Sequence, residues 1–310
     1  MYTYNIWQWF LFFFIYCFLG WCWETAYVSI RKRQFVNRGF MQGPFLPIYG
    51  FGALAILVAV IPVKSFPVLV YLSGLISATL LELVTGIMME RLFHVRYWDY
   101  SRQKFNYKGY ICLSSSIAWG AFSLAMIYGF HSPIERWVLA IPENWGIAIT
   151  LCLTAITASD FAVSFKTAIE LRDLLTAMDN IKEEINRLQR RAEILETILS
   201  DDMEKKSREW HEKYSHQLNA LREDLKAGKD AFKAGKEISL EELRQLKQSQ
   251  QQRMLTLKTR LREATDSRRF ISIHNLLRRN PSAVSRRYAN SFHELKEQMI
   301  ESIKERIEKK

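Results

Sequence analysis

Residues 6–29 read IWQWFLFFFIYCFLGWCWETAYVS, and this stretch decides the fold. Glu24 is its single charge, and its length matches the ~20 residues that a helix needs to cross a bilayer. No Lys or Arg precedes it, and it runs into Trp21, Trp23 and Tyr27 rather than a small-residue cleavage site. It therefore reads as a retained membrane helix and not as a signal peptide.

Outward from it, four more apolar stretches follow at 46–62, 67–90, 112–130 and 145–165. The pattern predicts an all-α polytopic bundle of about five transmembrane helices; runs of this length and continuity exclude a transmembrane β-barrel. The chain of 310 residues carries a net charge of +11, but the two halves differ sharply. The first 165 residues hold 11 Lys and Arg, 7 Asp and Glu, and 35 of the aromatic residues, against six aromatics in the remainder. This division predicts a membrane bundle over 1–165 and a charged cytoplasmic helical tail over 166–310, and excludes a single soluble domain. Cys17, Cys22, Cys112 and Cys152 all lie in apolar runs, which excludes a secreted disulfide scaffold.

Basic residues predict the orientation. Arg31, Lys32, Arg33 and Arg38 follow the first stretch, and Arg91, Arg96, Arg102, Lys104 and Lys108 follow the third, whereas the alternate loops hold only Lys64 and Arg136. The N-terminus is expected outside and the tail in the cytoplasm of a multi-pass cell-membrane protein.

In the tail, Leu174, Met178, Ile181, Ile185, Leu188, Ala192, Leu195 and Leu199 step by four and three, a heptad seam. The expected use is a coiled coil, formed either with a second copy as a homodimer or within one chain. A second amphipathic run passes through Trp210, Tyr214, Leu218, Leu221 and Leu225, broken near Gly228 and Gly235, and Ser239 with Glu242 has the spacing of a capping box. From Arg268 onward, three Arg pairs flank a break at Asn280 and Pro281, before a stripe of Tyr288, Phe292, Leu295, Met299, Ile303 and Ile307. This segment reads as a helical hairpin with a solvated basic rim, or as a contact for anionic membrane lipids. No motif for a specific nucleic acid accompanies the charge.

Charged groups inside membrane helices cost about 2.5–3.5 kcal/mol on insertion scales, so Glu24, Glu82 and Asp160 need reasons. Glu82, Gly86 and Glu90 recur every four residues on one helix face, with the glycine admitting a neighbouring helix. The acids read either as partners of nearby bases such as Arg38, or as the lining of a cytoplasm-facing cavity. Asp160 is expected to snorkel to the interface near Lys166. The stretch 37–52, NRGFMQGPFLPIYGFG, puts Asn37, Arg38, Gly39, Gly43, Pro44 and Tyr49 in a glycine-rich and proline-rich loop before the second helix, a plausible binding loop. No P-loop, HExxH, paired CxxC or GxSxG occurs, so no catalytic residue, metal site or cofactor is expected, and any ATP hydrolysis would belong to another polypeptide.

FLGWCWETAYVSIRKRQFVNRGFMQGPFLPIYGFG, LELVTGIMMERLF and YWDYSRQKFNYKGYICLSSSIAWG together resemble the bacterial family described as Putative ABC-transporter type IV, the CmpB-like permeases. The resemblance covers residues from about 10 to 130, and LLRRNPSAVSRRYANSFHELKE is similar to the ending of some members. It implies a transporter permease-like membrane component with a separate ATPase subunit. The positions that fit its pattern include Gly20, Glu24, Asn37, Arg38, Gly39, Gly43, Pro44, Tyr49, Glu82, Glu90, Trp98 and Asp99, with Tyr110 standing where a basic residue is expected. Two functions are open at this point: a transport component with an acidic, glycine-rich cytoplasmic site, or a membrane-anchored sensor or scaffold acting through its tail.

Overall fold

The computed structural model describes residues 4–200, 240–265 and 268–308. Helix α1 (Ile6–Lys32) opens with a capping box between Asn5 and Gln8 and stops at Arg33, which takes a left-handed conformation at φ 53°. Arg31 and Lys32 in its last turn complement the negative end of the helix dipole. Helix α2 (Pro47–Val60) and helix α3 (Pro67–Phe93) both start with proline at the first position, where its missing donor costs nothing. Like α1, α3 ends on a left-handed residue that is not glycine, His94 at φ 55°.

Four helices among the described residues are long and apolar enough to cross a membrane: α1, α3, the continuous run Leu113–Leu139, and the apolar part of the helix that begins at Glu143. The stretch 46–62, expected to be a fifth, is shorter. Its 14 α-helical residues rise only ~21 Å against a hydrocarbon core of ~30 Å, and at Pro62 the chain passes into a 3-10 turn, Ile61–Val63. The stretch 112–130 is instead longer than expected. Helix α4 (Leu113–Ala125) continues through a π-helical turn, Met126–Phe130, into α5 (His131–Leu139). Two of the polar residues that ended the apolar run in the sequence find partners at α1 and its N-terminal flank: His131 is buried with Nδ1 3.0 Å from Tyr16 Oη, and Glu135 accepts from Tyr4 Oη.

Helix α3 shows why this is a membrane fold. From 70 to 86 its buried positions are Val70, Gly74, Ala78, Glu82 and Gly86, one every four residues, whereas Leu72, Ile76, Leu80 and Val84 on the opposite side are exposed. Small residues inside and large apolar residues outside reverse the soluble pattern and let neighbouring helices pack closely in lipid. The loops after α1 and α3 meet at one end, where Arg38 Nη2 reaches the Tyr97 carbonyl at 3.5 Å.

Helix α6 (Glu143–Ser200) runs unbroken through the compositional division at residue 165. The compact units are residues 1–175 with 268–310, and residues 176–267. The first therefore contains α8 (Arg268–Arg279) and α9 (Ala289–Glu308), the two arms of the expected hairpin, which bury Ile273, Leu276 and Leu277 on one side of the break and Tyr288, Phe292, Leu295 and Met299 on the other. In the second unit, α7 (Leu240–Thr265) lies beside the expected seam within the same chain: Arg253 pairs with Glu184 at 2.6 Å, and Met178, Leu188 and Leu257 are buried. The run from Trp210 to Leu225, Gly228, Gly235, and Ser239 lie outside the described residues, as do the side chains of Leu195, Leu199, Glu242, Ile303 and Ile307.

Candidate binding cavity

The loop 33–46 is held to its surroundings by polar side chains of neighbouring helices and by its own Asn37. Ser29 Oγ and Thr25 Oγ1 accept from the Val36 and Arg38 amides, at 3.0 and 3.2 Å. Asn37 bridges Trp21 Nε1 at 2.7 Å and the Gln42 carbonyl at 2.8 Å. Asp160 has partners in the loop: from α6 it accepts the Gln42 amide at 3.0 Å and the Gly43 amide at 2.7 Å, one carboxylate oxygen each. Two successive backbone N–H groups holding one anion form a nest, and the aspartate is the fixed anion that shapes the loop. Gly39, at φ 134°, supplies a conformation that L side chains rarely adopt.

The loop 94–112 folds as a small hairpin, β1 (Asn106–Tyr107) against β2 (Ile111–Cys112), with Gly109 at φ 77° in its turn. Trp98 Nε1 donates to the Tyr110 carbonyl at 3.0 Å. Arg96 pairs with Glu90 at 2.7 Å, donates to the Lys108 carbonyl at 2.7 Å and stacks 4.2 Å from the Tyr110 ring centre. Tyr110, where the family pattern suggested a base, gives its hydroxyl to Glu90 instead.

The segment after α8 docks on both loops. Arg96 and Val284 exchange backbone hydrogen bonds at 2.8 and 2.9 Å as an antiparallel bridge. Ser282 and Ser285 donate to the Tyr97 and His94 carbonyls, at 3.0 and 2.7 Å, and Arg286 reaches Asp99 at 3.5 Å. Burial alone would push the Asp99 carboxyl up, but hydrogen bonds from Ser101 and the charges of Arg286 and Arg96 hold it below the usual carboxylate range.

These elements enclose a cavity of about 340 Å³. Glu24, Arg38, Gly39, Tyr49, Glu82 and Trp98 line it, joined by Tyr97, Tyr100, Trp119 and Asn280. Of the other residues expected at the site, Asn37 and Gly43 hold the loop, Glu90 and Asp99 belong to the Arg96 ion-pair group, and Pro44 lies between the Asp160-bound amides and α2. Gly20 and Gly50 let α1 and α2 meet at the cavity wall, because a Cβ on either would run into Tyr49 or into Cys17 and Phe13.

The two acids are held differently. Glu24 accepts from Tyr49 Oη at 2.8 Å and lies 3.6 Å from Arg38 Nε. Glu82, only 5% exposed, accepts from Tyr100 Oη at 2.9 Å, Trp119 Nε1 at 3.1 Å and Ser115 Oγ at 3.4 Å. Among the described residues no cationic side chain pairs with it. Burial, then the charge and hydrogen bond of Glu82, raise the Tyr100 phenol well above its ordinary value, so it stays a neutral donor. Tyr97, also on the wall, has a buried hydroxyl without a hydrogen-bond partner among the described residues.

The sequence reading did not place Tyr97, Tyr100, Trp119 or Asn280 at the site, although Tyr100 fits the family pattern. An aromatic in a loop or an apolar helix carries no signal that it faces a cavity, but Ser115 and Trp119, one turn apart, could have been paired with Glu82 by their polar edges.

A bundle with small residues inside, large apolar residues outside and an acid-lined chamber at one end defines a multi-pass membrane protein. The chain belongs to the family described as Putative ABC-transporter type IV, whose sequence model matches residues 11–165, half of its length. The match takes in every cavity-lining residue named above except Asn280. Neither the curated proteins nor the solved structures compared with the chain gave a match.

Proposed function

We propose that the chain is the membrane-spanning component of a transport system and that the cavity is a cytoplasm-facing binding site for a cationic ligand with an apolar or aromatic-compatible body. The observation that carries this reading is Glu82: a buried carboxyl group held by three neutral donors, with no cationic side chain paired to it among the described residues, beside the rings of Tyr100 and Trp119. Such a site offers a carboxyl group whose charge a cationic ligand would neutralise, and aromatic faces add cation–π attraction. Glu24 with Arg38 adds an ion pair whose partners could exchange as the ligand enters. The cytoplasmic assignment rests on the basic loops after α1 and α3, which meet at the end where the cavity lies.

The role is binding and translocation rather than catalysis. With no P-loop in the chain, ATP hydrolysis falls to a separate subunit, in keeping with the family description. Uptake of labelled benzyltrimethylammonium into vesicles carrying the full chain with its co-purifying partners tests the proposal. Glu24→Gln and Glu82→Gln variants that still insert and fold should lose most of that uptake; unchanged uptake in both would overturn it.

A second reading, a sensor that works through its tail, is favoured by one observation. The unit at 176–267 is joined at one end to α6, whose Asp160 shapes the glycine-rich loop, and at the other to α8, after which Asn280 forms part of the cavity wall. Transport and sensing could therefore share one device.

A further inference from the structure

A second concavity, of about 420 Å³, lies between the loop after α1 and helix α8, apart from the acidic cavity. Its polar lining is Asn37, Gln42, Ser272, Asn275, Arg278 and Arg279. It holds two guanidinium groups, side-chain amides and a hydroxyl, and no carboxylate. Ser272, Asn275 and Arg279 follow one another at steps of three and four, so α8 presents them along one side.

Arg279 is the informative residue. It is partly buried, its Nε is fully buried, and that Nε has no hydrogen-bond partner among the described residues. A buried donor on a charged group is costly to leave unmet. The carboxylate whose charge reaches it, Asp160, has both oxygens taken up by the Gln42 and Gly43 amides. Arg278, next in the chain, is exposed and is likewise without an ion pair among the described residues.

We propose that this groove binds a phosphate-type oxyanion, supplied either by a phospholipid headgroup or by free phosphate. Guanidinium forks match phosphate geometry and bond it in a charge-assisted way, while Asn and Ser donors complete the shell. The groove lining includes Phe35, whose apolar side chain is 71% exposed and would lie against acyl chains if the phosphate belongs to a lipid. The site also abuts the transport cavity: the Arg279 carbonyl accepts from Arg38 Nη1 at 3.3 Å, so an anion held by Arg279 would steady the residue that faces Glu24.

The test uses the purified full-length chain and two probes: inorganic phosphate, read by the thermal unfolding midpoint, and vesicles of phosphatidylcholine with or without phosphatidylglycerol, read by bound lipid. At least one probe should bind; phosphatidylglycerol alone identifies the headgroup as the source, and inorganic phosphate identifies the free anion. Arg278→Gln and Arg279→Gln should each weaken that binding roughly tenfold, as expected for loss of one charge-assisted contact. Arg287→Gln, which removes the same charge outside the groove, should change it less than about twofold. Arg278 is exposed, so its variant reports even where Arg279→Gln perturbs folding. Binding of neither probe, or an equal loss in Arg287→Gln, would overturn the proposal.

Discussion

Nη1 of Arg38 donates to Oδ1 of Asn280 at 3.0 Å, across 242 positions of sequence. Asn280 returns a bond from Nδ2 to the Gly39 carbonyl at 2.8 Å and is only 2% exposed. One buried amide thus fastens the end of α8 to the loop that forms the cavity wall. Asn280→Ala would leave the Gly39 carbonyl unmet and remove one acceptor of a guanidinium, at a cost of about 1–3 kcal/mol. The expected outcome is a lower thermal midpoint together with faster proteolytic cleavage within 280–288.

Asp160 offers a separate test of the loop. An asparagine there can accept only one of the two amides and turns an N–H toward the other. Asp160→Asn should speed hydrogen exchange of the Gln42 and Gly43 amides by about tenfold or more, with α1 amides unchanged. Unchanged protection at both amides would mean that the nest does not set the loop conformation.

Much of the bundle is legible in the sequence because lipid imposes one strong rule, a long apolar helix, and α1 and α3 obey it. The rule fails where length and composition part company. Residues 46–62 are apolar enough to span but are cut short by Pro62, whereas His131, Glu135 and Arg136 look like a loop and yet continue a helix, two of them with partners in α1 and its N-terminal flank. The acids Glu24 and Glu82 stand out from sequence as costly charges. The aromatic partners of Glu82 do not, because Trp119 and Tyr100 are ordinary residues in their own segments. Asn280 is still less visible: a contact over such a separation leaves no periodicity, and the charged tail reads as solvated until the strand bridge at Val284 is seen.

Asp99 gives the docked segment a pH dependence. Folding lowers its pKa, so its contribution to stability is present above the unfolded value of ~3.9 and is lost as pH falls through the lower folded value. Protection of the Val284 amide, corrected for intrinsic exchange, should hold from about pH 7 to about pH 5 and decline below about pH 4. In Asp99→Asn this decline should be reduced and protection lower throughout.

At Gly20 the ring of Tyr49 occupies the space that a side chain would need. Gly20→Val should force the ring away, break its bond to Glu24 and destabilise the bundle by about 1–3 kcal/mol. Gly129, whose Cβ would meet nothing, is the matched control, and Gly129→Ala should be tolerated.

The central claim is that Glu82 is the protein's counter-charge for a bound cation. Trp98 and Trp119 line the cavity, so their fluorescence reports its occupancy. Titrating the purified full-length chain with benzyltrimethylammonium, and separately with benzenesulfonate, compares ions of similar body and opposite sign. The account predicts saturable quenching by the cation only, weakened at least about tenfold in Glu82→Gln. Equal quenching by the two ions, or cation binding that survives Glu82→Gln intact, would contradict it.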